Sequence, residues 1–202
     1  MKTRYLVMCL FITFLLSETS FATSIITNSN DPILSGSTLI DFESVAAGDY
    51  ASFNTNGVTF SGDNSSTLTV CTGCGGGVFG DTGKSLNNRN GNNFTITFDN
   101  LVSAWGIQGG AFNVGWSYIA YDSSHNVLLN DTFANSCCGP FFDGIAANGI
   151  KSINLISNGD WVVFDNMKYV SQGSSSSVPE PATVSLIGLG LAGMAIRRRK
   201  SA

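Results

Sequence analysis

The sequence predicts an all-β fold, an antiparallel β-sandwich of jelly-roll type, and three observations lead to it. Between residues 23 and 170 the chain is rich in Gly, Asn, Ser, Thr and Phe and poor in Lys, Glu and Gln, a balance that suits pleated strands and turns. No stretch before the C-terminal tail sustains an apolar period of 3.6 residues, whereas short runs alternate apolar and polar side chains. Clusters of turn-forming residues, such as Asp122-Ser-Ser-His-Asn126 and Ser157-Asn-Gly-Asp160, separate these runs.

The first 22 residues stand apart from this pattern. Met1-Lys-Thr-Arg4 is a basic start, residues 5–16 are apolar, and Ser20-Phe21-Ala22 is a small-x-small cleavage box, so residues 1–22 read as a signal peptide and the mature chain begins near Thr23. Cys9 lies within the apolar run and leaves with it.

From there the expected strands follow in order. Residues 94–98, Phe-Thr-Ile-Thr-Phe, alternate over the whole run and define a half-buried strand. Similar runs occupy 38–42, 57–60, 67–70, 102–107, 116–121, 127–133, 150–156 and 161–169. One domain, 23–170, accommodates all of them and is long enough to bury a sizeable core. No internal repeat is visible.

Charge narrows the partners. Residues 23–177 hold twelve acidic and four basic side chains, a net −8 against −4 for the whole chain, because the basic residues gather at the two termini. A domain this acidic repels phosphate backbones, which argues against nucleic acid and leaves cations or neutral sugars as suitable partners.

Beyond the domain comes a Ser-rich linker, 171–177, and then a tail, 178–202, of three parts: Pro179-Glu180-Pro181, an uncharged apolar run over 182–196, and Arg197-Arg198-Arg199-Lys200. The prolines forbid helix at the boundary and push their predecessors toward extended geometry, leaving a stiff, readable peptide. The apolar run is short for a bilayer core, which asks for about 20 residues, and the four cations hold its end in the cytoplasm. This arrangement resembles the PEP-CTERM sorting signal of Gram-negative bacteria, also called the C-terminal domain of ice-binding proteins. The resemblance implies transient anchoring of the tail in the inner membrane, recognition of Pro179, Glu180 and Pro181 by an exosortase, a membrane-embedded cysteine protease, and retention by Arg197 to Lys200. It further implies delivery to the cell surface or extracellular matrix, often within exopolysaccharide. The alternative name describes the signal and says nothing about ice. The domain, through Asp41-Phe42-Glu43 near its start and Phe164-Asp165-Asn166 near its end, resembles carbohydrate-binding-module-like jelly rolls, in which the terminal strands are neighbours.

Four groups of residues are candidates for chemistry. Cys71, Cys74, Cys137 and Cys138 form an even set in an exported chain and read as two disulfides. Three pairings are open; because a bridge between neighbours is strained, both links are expected to cross between the loops near residues 72 and 137. Zinc is the rival, but adjacent cysteines chelate one tetrahedral metal poorly. Asp41 and Glu43, two apart on an expected strand, share a face that Asp165 joins if the terminal strands pair, a set suited to a structural calcium. Trp116, between Gly115 and Ser117 after a Gly-containing turn, is the tryptophan expected to be exposed for stacking on a sugar ring. Gly75 to Ser85 suggests a phosphate loop, but the first glycine of the pattern falls on Val78, so it reads as a surface loop.

With His125 alone in a turn and no nucleophile elbow, no base for serine- or cysteine-type hydrolysis is visible. The expectation is a non-enzymatic exported domain in contact with exopolysaccharide. A structural or adhesive matrix protein, marked by a flat polar face rich in Thr and Asn, and a glycan-active enzyme built on two carboxylates are the alternatives.

Overall fold

A computed structural model describes residues 23–79, 83–88, 91–110, 115–133 and 139–173. The expected signal peptide and sorting tail lie outside them, as do Cys137 and Cys138. Among the described residues no helix is long and apolar enough to cross a membrane.

The described residues form an all-β, antiparallel fold of twelve strands: β1 (Ser24–Ile26), β2 (Thr38–Ile40), β3 (Gly48–Tyr50), β4 (Ser52–Thr55), β5 (Val58–Gly62), β6 (Leu68–Thr72), β7 (Lys84–Asn87), β8 (Phe94–Gly110), β9 (Ser117–Tyr121), β10 (Val127–Thr132), β11 (Phe141–Ile156) and β12 (Val163–Ser171). The expected runs 94–98 and 102–107 are the two halves of one strand, β8. The first half of β11, with β1, β3, β4 and β7, is too short or too irregularly patterned to be read from alternation.

β8 and β11, 17 and 16 residues long, belong to both layers of a sandwich. Residues 94–98 of β8 lie between β5 and the C-terminal half of β11, whereas 102–110 lie between the N-terminal half of β11 and β12. The β8–β11 register shifts between Ala146 and Ser152, around Gly149 at φ +79°, and there the paired strands pass from one layer to the other. The first layer therefore runs β4-β5-β8-β11-β9-β10. The second runs β1-β11-β8-β12, with β2 and β7 side by side along β12 and β6 and β3 beyond β7.

Alternation within the first layer sends Phe60, Phe94, Ile96, Phe98, Tyr118 and Ile153 inward. Cross-layer ring contacts close the core: Phe94 to Phe164 at 5.4 Å, Phe98 to Tyr169 at 5.6 Å and Trp105 to Tyr118 at 5.5 Å. Each fully buried ring of this size contributes on the order of 1.5–3 kcal/mol. The outer face of the second layer is sealed by the N-terminal segment, whose Ile26 and Leu34 pack on Ala104 and Ala146. Asp31 fixes that segment by accepting from Ile33 N at 3.0 Å before Pro32.

β4 and β5 are joined by Asn56-Gly57 with φ of +48° and +74°, the conformation that a two-residue hairpin requires and that this pair tolerates.

Candidate functional surfaces

β2 pairs with β12, Ile40 opposite Met167, so the strands expected to be first and last are neighbours, although β1 precedes them and pairs with β11. The calcium set nevertheless does not assemble. β2 ends at Ile40 and Phe42 takes φ +59°, burying its ring against Phe53 and Phe60, so Asp41 and Glu43 do not share a strand face. Asp41 accepts from Glu43 N, and Glu43 is turned to Lys84, accepting from Lys84 N at 2.6 Å. Asp165 is buried and accepts from Asn166 N. No three His, Cys, Asp or Glu side chains among the described residues are grouped to hold a metal ion.

A lysine stands where a cation was expected. Lys84 Nζ donates to Glu43 O and Val45 O at 2.8 Å each, while Lys151 Nζ donates to Phe98 O and Asp99 O and Lys168 Nζ to Ser29 O. All three lysines of the domain thus donate to backbone carbonyls.

Cys71 is bonded to Cys74, with Cα atoms 5.7 Å apart. This corrects the expected crossing of links between distant loops. Gly73, at φ +72°, turns the chain tightly enough to bring the two cysteines within ordinary bridging range. The link closes the loop that leads into the helical turn Gly76–Phe79.

Trp116 is also corrected. It is fully buried, its ring 5.4 Å from Phe164 and 6.2 Å from Phe94, because the residue leading into β9 already follows that strand's inward alternation. The exposed tryptophan is Trp161, 44 % exposed in the loop between β11 and β12, where Asn88 steadies the backbone through Asp160 O and Val162 N. An aromatic residue beside Asp160 and before Val162 gives no alternation signal that would have marked it.

The outer side of the first layer carries rows of mostly polar side chains. Register aligns Asn54, Thr59, Thr97, Ser152 and Tyr121 in one row across five strands, with Asn54 exposed, Thr59, Thr97 and Tyr121 half-buried, and Ser152 buried between its neighbours. The next row is Ser52, Ser61, Thr95, Asn154 and Ile119. Asn54 Nδ2 donates to Thr59 Oγ1 at 2.9 Å, and Asn154 Nδ2 donates to Thr95 Oγ1 at 3.2 Å and to Asp63 Oδ2 at 3.2 Å. The Tyr121 ring lies 5.8 Å from His125, which occupies the β9–β10 turn at φ +63°.

The buried carboxylates serve the backbone. Asp143, Asp160 and Asp165 each accept from the N–H of the next residue. Burial, reinforced by the nearby charge of Asp143 and then of Asp131, pushes the Tyr118 hydroxyl well above the ordinary phenol range, and this hydroxyl donates to Gly144 O at 3.1 Å. At the surface, hydrogen bonds from Asn126 hold Asp122 below the usual carboxylate range.

Residues 177–200 match the family model of the PEP-CTERM protein-sorting motif, so the C-terminus carries that signal. No curated protein matches the chain. Among solved structures, the enzymatically active domain of tailspike protein 4 of bacteriophage CBA120 is similar at 16% identity and a TM-score of 0.37, over 59% of this chain and 20% of that one. TmCBM61, solved in complex with β-1,4-galactotriose, is similar at 13% identity and a TM-score of 0.32, over 58% of this chain and 90% of that one.

Proposed function

We propose that this is an exported, non-enzymatic β-sandwich protein, trimmed by an exosortase-type protease and kept at the surface or in the extracellular matrix of a Gram-negative bacterium, where its domain contacts exopolysaccharide. The observation that carries the reading is the sorting motif over residues 177–200, which implies export, membrane transit and processing. The domain suits that destination. Its net −8 charge keeps it from phosphate polymers. Its buried carboxylates are engaged in fixing backbone N–H groups, which supports a binding or structural role over glycan hydrolysis. A second reading, a structural or adhesive matrix protein, is favoured by the Thr- and Asn-containing rows on the outer side of the first layer.

Intact-mass spectrometry on protein recovered from surface and medium fractions of the native host tests the sorting half. A species that starts near Thr23 and ends near Pro179-Glu180-Pro181 is expected. A full-length C-terminus held in the membrane would show the tail to be a plain anchor.

A further inference from the structure

We infer that the outer face of the first layer is a binding platform for an uncharged polysaccharide, laid along the row Asn54, Thr59, Thr97, Ser152 and Tyr121; this rests on the reading of the protein as a surface domain in contact with glycan.

Three features select that occupant. The row contains no charged side chain, and the carboxylate set against the neighbouring row, Asp63, is taken up by Thr95 Oγ1 and Asn154 Nδ2, so the row offers donors and acceptors without a cation to hold an anionic polymer. Hydroxyl and amide groups that both donate and accept match sugar hydroxyls, which do the same. At one end the half-buried Tyr121 ring, with the exposed His125 ring 5.8 Å away and tilted by 34°, supplies the apolar flank on which the C–H face of a sugar ring packs.

The dimensions suit a chain more than a single sugar. Five strands set about 4.8 Å apart extend the row over roughly 19 Å, with its groups repeating at strand spacing. β4, which carries Asn54, pairs only with β5 among the described residues, so the row ends there at a sheet edge. A row of groups regularly spaced across strands favours many weak contacts along a repeating ligand over the enclosure of a small one.

The sequence conceals this arrangement because Thr59, Thr97 and Ser152 come from three separated segments. The Thr-x-Thr pairs of the chain do not mark it either: Thr95 and Thr97 fall in different rows, and Thr67 and Thr69 belong to neither row.

Affinity electrophoresis of the full chain from an exporting host, in gels containing a neutral β-glucan, mannan or galactan and in a gel containing alginate, tests the inference. Retardation by at least one neutral gel and by none of the alginate is expected. Tyr121→Ala should raise the dissociation constant at least tenfold, Asn54→Ala about threefold, and Trp161→Ala should leave it unchanged. Asn54 is exposed on an edge strand, so its variant remains informative if Tyr121→Ala fails to fold. If the wild-type chain binds a neutral gel and both face variants bind equally well, the platform is wrong while the glycan reading stands. Retardation by alginate alone would overturn the uncharged class. No retardation in any gel would remove the glycan reading and the platform with it.

Discussion

Glu43 accepts two hydrogen bonds from Lys84: its carboxylate accepts from Lys84 N at 2.6 Å, and its backbone carbonyl accepts from Lys84 Nζ at 2.8 Å. The pair ties the segment after β2 to the start of β7, 41 residues along the chain. Lys84→Met should lower the unfolding free energy by about 1–2 kcal/mol, since hydrogen bonds to a charged group are worth about 1.5–3 kcal/mol and the partial exposure of this one reduces that. Urea titration reads the effect. A midpoint unchanged from wild type would mean that solvent replaces the carbonyl contacts at no cost.

Phe164 meets Phe94, Trp116 and Phe133 at 5.4, 5.4 and 6.4 Å, so it links both layers. Phe164→Ala should cost about 3–5 kcal/mol through lost burial and the cavity left between layers. Phe164→Leu should cost clearly less. Thermal unfolding followed by near-ultraviolet circular dichroism would measure both, and equal costs would point to a site that collapses freely.

Tyr118 gives the protein a defined alkaline limit. Its folded pKa lies above the unfolded value of 10.0, so the unfolded chain releases the phenolic proton first and stability falls as pH rises past about 10. Below that pH the contribution is fully present. Tyr118→Phe should lose about 1 kcal/mol at pH 7 with the bond to Gly144 O, yet show a smaller decline between pH 9 and 11 than wild type. Parallel slopes for the two proteins would remove the assignment.

Asp122 sets an acid limit on the β9–β10 turn. Its carboxylate accepts from Ser124 N and Asn126 N at 2.8 Å each, and its pKa lies below the ordinary value of 3.8. The turn's added order is therefore present above that value and is lost as pH falls through the folded pKa. Amide exchange at Ser124 and Asn126 should accelerate at low pH relative to the other turns, and Asp122→Ala should show the fast rates already at pH 6.

The Cys71–Cys74 link closes a loop too short to restrict the unfolded chain greatly. In the chain-entropy model its removal costs at most about 2 kcal/mol, against more than 4 kcal/mol for a link spanning the distance to Cys137. Cys71→Ser with Cys74→Ser should thus shift the urea midpoint modestly, and peptide mapping should recover residues 71 and 74 in one linked fragment. A fragment joining Cys71 or Cys74 to the segment holding Cys137 and Cys138 would contradict the local pairing.

The sequence by itself determined the sorting signal and the fold class. Pro179-Glu180-Pro181, the apolar run and the basic end are contiguous and act by local composition, and they coincide with the matched sorting motif. Alternation likewise marked strands such as β5, β6, β9 and β12, because a half-buried strand writes its two faces into every second residue. Tertiary structure decided the rest. The merging of two runs into β8 depends on partners far along the chain, the left-handed turn at Phe42 separates two carboxylates that a straight strand would align, and the burial of Trp116 depends on Phe164 across the sandwich. The row of Asn54, Thr59, Thr97, Ser152 and Tyr121 exists only once register is set, since hydrogen bonding between strands makes neighbours of residues that the sequence holds far apart.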